Sequence, residues 1–355
     1  MILTPINAHT HKSGHSRTGD DSMARLTFKK ILAIAGFAVG SSHAAVAGAW
    51  EPTKTIEFVV PFSAGGATDQ MARSIQGIIA KNKLIKQAIV VQNKAGASGA
   101  EGLLDMKASP GDAHKLVVSS SGLYTVPLAT GLPFNWRDLT PVAMVAQDEF
   151  VLWVNSDTPY KTPADYLAEV KKTPEKFKMG GTSSKREDHI ITAMVEKKAG
   201  VKFIYIPYKG GGEAATQLSG KHIDSNVNNP SESISQWRAG QHRALCLFAD
   251  KRSDFKEKVT PTQSWADVPT CKEKGLDVQY QMLRVFMLPG NVPADVTKYY
   301  TELLQKVVAT PEWKSYVEKN ALKATVLYGD ALRDYMAKDE QSHREIMKTA
   351  GFLSK

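Results

Sequence analysis

The chain has 355 residues, and its 45 lysines and arginines against 36 aspartates and glutamates give a formal net charge of +9. This length exceeds that of one ordinary domain and fits two lobes of about 150 residues each. The positive balance would suit an anionic ligand or a nucleic acid. However, the basic residues are scattered and form no stripe with interleaved aromatic residues, which argues against a nucleic-acid-binding protein.

The N-terminal segment has the pattern of a secretory signal peptide. Basic residues follow Met23, a short apolar stretch covers residues 31–40, and residues 45–47 read Ala-Val-Ala. The apolar stretch is shorter than the roughly 20 residues that a membrane-spanning helix needs, which disfavours the alternative of a membrane anchor. We therefore expect residues 1–47 to be an N-terminal extension and a signal peptide that starts at Met23 and is cleaved near Ala47. The mature protein is then expected to be exported and soluble.

After this segment, strand-like and helix-like patterns alternate. Short apolar runs rich in β-branched residues predict strands, and segments with apolar residues on one helical face predict helices between them. The helix expected over residues 164–172 has Thr162 as its N-cap and Pro163 at its first position. This alternation predicts an α/β fold with mostly parallel sheets. The predicted strands cover residues 55–61, 88–92, 116–119, 150–154, 203–206, 223–227 and 244–248, and further helices cover residues 190–198, residues 213–219 and the region from Ala294 onward.

Ligands of open α/β sheets bind past the carboxyl ends of the strands, so loops between a strand and the next helix are candidate sites. The loop over residues 61–69 contains Gly65 and Gly66, which allow consecutive N–H groups to point at one anion, and the helix start adds partial positive charge. An ordinary glycine-rich turn capped by Asp69 would have the same sequence pattern and is the alternative. The loop lacks the lysine and the glycine spacing of nucleotide-binding loops, so a nucleotide is not expected.

A second loop, over residues 180–189, combines hydroxyls and two cations at a helix start, and these groups are suitable donors to a carboxylate. One alternative is a solvated loop in which residues 185–188 pair with one another at the surface, and another is that His189 is a packed helix residue. The candidate ligand-binding residues of this loop are Thr182, Ser183, Ser184, Lys185, Arg186 and His189.

A third loop, over residues 207–213, again follows a predicted strand and precedes a predicted helix. Its three glycines allow close approach of the backbone to a ligand, and Tyr208 can form one wall of a pocket. Asn228 follows the next strand and offers an amide, although the Asn-Asn-Pro sequence in which it lies is also that of a plain turn.

The sequence lacks the residue sets that catalysis or a metal site would need. It has no G-x-S-x-G or H-E-x-x-H motif and its histidines are dispersed, which argues against an enzyme and against a metal or other cofactor. Cys246 and Cys271 have no nearby pair of histidines, so a structural zinc site is not expected. In an oxidising compartment the two cysteines either form a disulfide or stay as buried thiols, and both outcomes remain open.

Several motifs resemble those of the Bug family, the extracytoplasmic solute receptors of tripartite tricarboxylate transporters. Residues 61–69, P-F-x-x-G-G-x-x-D, resemble the first family signature, and residues 90–99, V-V-Q-N-K-A-G-A-S-G, are similar to the second. Residues 206–210, I-P-Y-K-G, are similar to the family's V-P-Y-K-G motif, and matches at residues 237–245 and 267–270 follow in the family's order. The resemblance covers almost all of the chain after the leader.

The resemblance implies a two-lobed α/β fold of the periplasmic binding protein type (type II-like), with the ligand in a cleft that closes by hinge bending. The expected lobes comprise residues 48–149 plus 250–355, and residues 150–249. It also implies a monomeric periplasmic receptor without a cofactor, which captures a small organic carboxylate and delivers it to membrane permease subunits. The implied ligand-binding residues are Phe62, Ala64, Gly65, Gly66 and Asp69 in the first loop, Ser120 and Ser121 after the third predicted strand, and the second-loop residues named above, beside Tyr208 and Asn228.

The second loop departs from the family pattern, in which many members read G-S-x-G-x-G-S-x-x-H. Gly181, Ser183 and Lys185 stand where serine, glycine and glycine would, Arg186 replaces the second serine, and His189 is retained. The two added cations predict a more anionic ligand, a di- or tricarboxylate. A ligand-loaded signalling partner of a membrane sensor kinase needs the same cleft and is the alternative, and a periplasmic enzyme is the less favoured one.

Overall fold

The computed structural model describes residues 50–354, so the predicted signal peptide and its cleavage site lie outside the described residues. Within this range the chain forms eleven strands and ten helices. The strands are β1 (Ile56–Val60), β2 (Ile89–Asn93), β3 (Lys115–Ser119), β4 (Leu139–Asp148), β5 (Val151–Asn155), β6 (Lys178–Thr182), β7 (Ile204–Tyr208), β8 (Ser225–Asn228), β9 (His242–Leu247), β10 (Met282–Pro289) and β11 (Leu327–Tyr328). The helices are α1 (Ala67–Lys81), α2 (Ala100–Lys107), α3 (Gly122–Thr130), α4 (Pro163–Lys172), α5 (Glu187–Ala199), α6 (Gly211–Ser219), α7 (Pro230–Arg238), α8 (Ala294–Val308), α9 (Pro311–Lys319) and α10 (Gly329–Thr349).

The strands form two open sheets, each at the centre of one lobe. The first sheet has six strands in the order β11-β4-β10-β3-β1-β2, and the second has five in the order β7-β6-β8-β5-β9. We call the halves built around these sheets the first lobe and the second lobe. All seven strands predicted from the sequence are present, with ends that differ from the prediction by at most two residues.

The expectation of mostly parallel sheets is wrong, because both sheets are mixed. β1 pairs in parallel with β2 and β3, and β6 with β7 and β8, but β10 is antiparallel to β3 and β4, and β5 is antiparallel to β8 and β9. The reason is the path of the chain between the lobes. β4 leads into β5 across two residues, and the chain returns to the first sheet as β10, so the strands that arrive from the other lobe run against their neighbours.

Local sequence explains the ends and faces of these elements. β1 is buried on both faces, with Phe58 and Val60 in one apolar cluster and Val59 in another, which accounts for its uninterrupted apolar run. The predicted start of α4 is confirmed. Thr162 Oγ1 accepts a hydrogen bond from the Asp165 N–H at 3.1 Å, and the Thr162 N–H donates to Asp165 Oδ2 at 3.0 Å. These reciprocal bonds satisfy two N–H groups at the helix start.

A disulfide joins the two cysteines within the second lobe. Cys246 lies near the end of β9, Cys271 lies in the segment that follows, and their Cα atoms are 4.8 Å apart. Both residues are buried in the apolar core of this lobe. None of the helices between residues 50 and 354 combines the length and the apolar character that a membrane-spanning helix requires.

Candidate functional site

The N-terminal ends of four helices meet at one cavity between the two lobes. Helix starts carry unpaired N–H groups and partial positive charge, so their convergence favours a bound anion. The cavity has a volume of about 20 Å³, which is room for roughly one water molecule. A larger ligand therefore requires the lobes to separate. The lining residues at the four helix starts are Gly66, Ala67 and Thr68 for α1, Glu187 and Asp188 for α5, Gly210 and Gly211 for α6, and Asn229 and Glu232 for α7.

The start of α1 is hydrogen-bonded to a carboxylate of the other lobe. The Ala67 N–H donates to Glu232 Oε1 at 3.0 Å, and Glu232 is the third residue of α7 in the second lobe. On the same side of the cavity, Ser63 Oγ donates to the Lys209 carbonyl at 2.9 Å. The N–H groups of Gly65 and Gly66 donate to Asp69 and to the Ser63 carbonyl, so all three consecutive N–H groups have acceptors within the protein. Anion binding by this loop stays a prediction, and a bound anion would have to replace some of these contacts.

Asp69 faces its own loop and holds its shape. Its carboxylate accepts hydrogen bonds from the Gly65 N–H at 2.9 Å, Arg73 Nε at 3.0 Å and Asn93 Nδ2 at 2.9 Å. Burial opposes ionisation of Asp69, but these donors outweigh burial and leave its pKa below the ordinary value. These contacts are those of an ordinary glycine-rich turn capped by Asp69, which is the alternative to an anion-binding loop. Phe62 and Gly66 line the cavity, whereas Ala64 and Gly65 are exposed to solvent and do not line it.

The serines at the end of β3 bind a carboxylate of the second lobe. Glu187 Oε1 accepts hydrogen bonds from Ser120 Oγ at 3.0 Å and Ser121 Oγ at 2.7 Å, and Glu187 Oε2 accepts one from Arg186 Nε at 3.1 Å. Burial raises the pKa of Glu187, but the Arg186 charge and the Ser121 hydroxyl overcome this effect and lower it to about 2. Glu187 is therefore ionised at any pH near neutrality.

Arg186 extends from the second lobe into the first. Its Nη1 donates to the Ser98 carbonyl at 3.0 Å, and its guanidinium carbon lies 4.4 Å from the centre of the Phe62 ring. A Cβ atom at Gly122 would overlap this guanidinium, so the absence of a side chain at position 122 makes room for it. The alternative interpretation, in which residues 185–188 pair with one another, thus holds for Arg186 and Glu187, but this pair is buried between the lobes, at 2% and 4% exposure, rather than solvated.

Lys185 and Ser184 border a second cavity, which Arg186 also lines. This cavity has a volume of about 270 Å³ and is also lined by Ser98 and Thr130 of the first lobe. Its lining thus includes one lysine and three residues with hydroxyl groups, which are suited to a carboxylate, although the Thr130 hydroxyl already donates to the Val126 carbonyl at 2.8 Å.

His189 lies away from the central cavity. Its ring stacks on Tyr205 with centroids 3.9 Å apart, and its Nδ1 accepts a hydrogen bond from the Lys185 N–H at 3.0 Å. Burial lowers its pKa to about 4, so the imidazole is neutral at pH 7. The structure thus places His189 as a packed helix residue that holds the loop, as in the alternative interpretation.

The remaining predicted residues shape the second-lobe loops. Thr182 lines the cavity and its N–H donates to Asp188 Oδ2. The Ser183 N–H donates to the Tyr208 carbonyl at 2.8 Å, and Asn228 Nδ2 donates to the Gly211 carbonyl at 2.8 Å. Tyr208 itself packs against the core of the second lobe.

Two side chains that the sequence interpretation missed also reach the cavity. Arg284 is 2% exposed, pairs with Asp148 through Nε at 3.0 Å, and donates to Thr68 Oγ1 at 2.6 Å. A cation in the otherwise apolar run of β10 was the available signal for Arg284. The signal for Glu232 was its place three residues after Asn229, a capping-box pattern at the start of α7. Among residues 50–354, no cluster of three or more His, Cys, Asp or Glu side chains is arranged to hold a metal ion.

Comparisons with known proteins agree with this architecture. The family model described as tripartite tricarboxylate transporter family receptor matches residues 71–352. Protein BugT of Bordetella pertussis (strain Tohama I) is 30% identical over 253 residues, which cover 69% of this chain and 76% of BugT. The structure of periplasmic binding protein BugD has a TM-score of 0.77 at 23% identity and covers 86% of this chain and 100% of BugD. R. palustris Rpa4515, solved with adipate, has a TM-score of 0.76 at 21% identity and covers 84% of this chain and 98% of its own. The chain therefore belongs to the tripartite tricarboxylate transporter receptors of the Bug type, and it has the two-lobed α/β fold of periplasmic binding proteins.

Proposed function

We propose that this protein is an extracytoplasmic receptor that captures a small organic carboxylate between its lobes and delivers it to the permease subunits of a tripartite tricarboxylate-type transporter. The observation that carries the proposal is the convergence of four helix starts at one interlobe cavity. Membership in a family of solute-binding receptors supports the same role. Export through the segment 1–47, with cleavage near Ala47, and action as a monomer belong to this proposal.

We further propose that the lobes correspond to residues 48–149 plus 250–355, and to residues 150–249, with the segment around Cys271 packed against the second lobe, to which the disulfide joins it. This division is supported by the two sheets, because β4 ends at Asp148 and β5 begins at Val151. Glu149 and Phe150 then form one connection between the lobes, and torsion there would accompany opening and closing.

A di- or tricarboxylate is the ligand class that the second-loop cations predict. Arg186 is already paired with Glu187, so Lys185 is the cation of this loop that supports a di- or tricarboxylate ligand. Lys185 borders the 270 Å³ cavity, so one carboxylate could bind there and another at the helix starts. Adipate, the ligand in the R. palustris structure, is a dicarboxylate, and that protein shares the fold.

Titration calorimetry of the mature protein tests this function. The ligands are citrate, a series of dicarboxylates and the matched monocarboxylates, at one pH and ionic strength. We expect at least one di- or tricarboxylate to bind more tightly than every monocarboxylate. A clear preference for a monocarboxylate would contradict the ligand class, and no binding of any carboxylate would contradict the receptor function. Uptake of the bound ligand by cells with and without the receptor then tests delivery to a permease.

A further inference from the structure

The residues that line the central cavity and their ion-pair partners include more carboxylates than cations. Glu187 is paired with Arg186, and Asp148 is paired with Arg284. Asp188 and Glu232 also line the cavity but belong to neither pair, and within residues 50–354 neither has a cationic side chain within 4.0 Å. Two carboxylates without a counter-charge in a closed cleft are costly in free energy unless a cation or protons accompany them.

The hydrogen bonds of these two carboxylates leave acceptor capacity unused. Asp188 Oδ2 accepts the Thr182 N–H, and Glu232 accepts the N–H groups of Ala67 at 3.0 Å and Asn229 at 3.3 Å. An ionised carboxylate offers about four lone-pair directions. Both side chains can therefore accept further hydrogen bonds from a donor placed in the cleft.

A third acceptor lies beside Glu232. Asn228 is completely buried, and its Oδ1 has no hydrogen-bond donor among the described residues. Asn228 Oδ1 and Glu232 Oε2 are two of the three atoms nearest to the position that a Cβ of Gly211 would take, and Gly211 lines the cavity. A buried acceptor without a donor is rare in folded proteins, and here it adjoins an unpaired carboxylate.

We propose that this cleft binds the ammonium group of an amino carboxylate, with Asp188 and Glu232 as its anionic partners and Asn228 Oδ1 as a neutral acceptor. An ammonium group has three N–H donors, one for each of the three acceptors. It also carries a positive charge, which the two carboxylates otherwise lack as a partner. This inference rests on the proposed receptor function, because the helix starts and Lys185 bind the carboxylate end of the same ligand. The ligand class is thereby narrowed to amino acids, and amino dicarboxylates fit both ends of the cleft.

Titration of the two acids provides an independent check. Burial raises the pKa of Asp188 well above its ordinary value, and the Glu232 charge adds to this effect. Burial likewise raises the pKa of Glu232 to about 7. A bound cation lowers both pKa values, so binding releases protons and the affinity increases as the pH rises through about 7. The other charged or titratable groups that act on these two acids are Glu187, Asp148, Arg284, Tyr205, Tyr280 and Tyr316.

The test compares ligands that differ by one ammonium group. Calorimetry at pH 8 measures the affinity of the mature protein for succinate and aspartate, and for glutarate and glutamate. We expect the amino member of at least one pair to bind about tenfold more tightly or better, since a hydrogen-bonded charge contributes at least that factor. In Glu232→Gln and Asp188→Asn this preference should fall about tenfold, while affinity for the plain dicarboxylate is kept or increased.

Controls separate a role in binding from a role in folding. Glu213→Gln changes an exposed acid in the first turn of α6 and should leave the preference unchanged. Thermal unfolding of each variant reports its folded state, and if Asp188→Asn does not fold, Glu232→Gln alone decides the question. Repeating the titrations in buffers of different ionisation enthalpy gives the number of protons released.

Each outcome bears on a different claim. Plain dicarboxylates that bind as tightly as their amino counterparts overturn the ammonium site and leave the receptor function intact. Proton uptake on binding, with higher affinity at low pH, also overturns it, because Asp188 and Glu232 would then act as protonated donors to a ligand carboxylate. If neither member of either pair binds, and citrate does not bind, the receptor function fails together with this inference.

Discussion

Glu187 of the second lobe accepts a hydrogen bond from Ser121 of the first lobe at 2.7 Å. The serines at the end of β3 are among the residues predicted to bind a ligand, yet in this structure they bind a side chain of the protein itself. The contact joins the lobes across the cleft, so opening of the cleft must break it. The closed state is therefore stabilised by an internal carboxylate as well as by any ligand.

Loss of the Glu187 charge should strongly destabilise the protein. Glu187→Gln leaves Arg186 buried without its counter-ion, and removal of one partner of such a pair typically costs about 3–5 kcal/mol. The free energy of unfolding at pH 7, measured by urea denaturation, should fall by about this amount. The double variant Arg186→Leu with Glu187→Leu is the control and should recover part of the loss. A single variant as stable as the wild type would contradict the buried ion pair.

Glu187 should also contribute to acid denaturation. Its pKa is lowered from 4.5 in the unfolded chain to about 2 in the folded protein. The stability that it provides is therefore complete above about pH 4.5 and is lost as the pH falls towards 2. Urea denaturation at several pH values between 2 and 6 should show a steeper decline in the wild type than in Glu187→Gln. Parallel curves would show that Glu187 does not titrate with a lowered pKa.

Glu232 should have the opposite effect. Its pKa is raised from 4.5 to about 7, so ionisation costs stability as the pH rises from about 4.5 to 7. We expect Glu232→Gln to be more stable than the wild type at pH 8, by about 1–3 kcal/mol, and to lose this advantage at pH 4. The measurement is urea denaturation of both proteins at the two pH values. An equal difference at both pH values would mean that the charge of Glu232 is not responsible.

A side chain at position 122 should displace Arg186. In Gly122→Ala the added methyl group overlaps the guanidinium, and overpacking of this kind costs about 1–3 kcal/mol. Arg186→Ser removes the guanidinium and therefore the clash. The double variant Gly122→Ala with Arg186→Ser should accordingly be as stable as the single variant Arg186→Ser. Gly77→Ala is the matched control. Gly77 lies within α1 with open space around it, so the alanine should stabilise the helix slightly.

Reversal of the charge at Lys185 should weaken ligand binding. If the 270 Å³ cavity holds one carboxylate of the ligand, Lys185→Glu removes a charged hydrogen bond of about 1.5–3 kcal/mol. Lys197→Glu, in the last turn of α5, is the control for the change in net charge. Calorimetry with the best carboxylate ligand measures both variants. Unchanged affinity in Lys185→Glu would place Lys185 outside the site.

The sequence patterns predict seven of the eleven described strands and miss β4, β6, β10 and β11, and the reason differs between them. β6 reads Lys-Met-Gly-Gly-Thr, and its two glycines have no side chain to signal a strand, although the close approach of Ile223 and Asp188 requires them. β10 is apolar throughout except for Arg284, and it pairs in the centre of the first sheet because the chain returns from the second lobe. Such returns depend on the path of the whole chain, which local patterns do not contain.

The same limit applies to the site. The glycine-rich loops at strand ends were recognisable, because tight turns and helix starts leave local signatures. The partners of those loops were not recognisable, since Glu232 is 165 residues from Ala67 and Arg186 is 88 residues from Ser98. The ligand-contacting role of Phe62, Thr182, Lys185 and the other candidate residues stays a prediction.

The space at Gly122 has a consequence for comparing this receptor with its relatives. The Arg186 guanidinium occupies the volume that a methyl group at position 122 would need, and its bonds to Glu187 and Ser98 hold it there, so we expect the two positions to vary together. Homologues with any larger residue at position 122 should lack an arginine at position 186, and homologues with this arginine should keep the glycine. Pairwise covariation between these two alignment columns would therefore identify the receptors that share this interlobe contact, before any of their ligands is known.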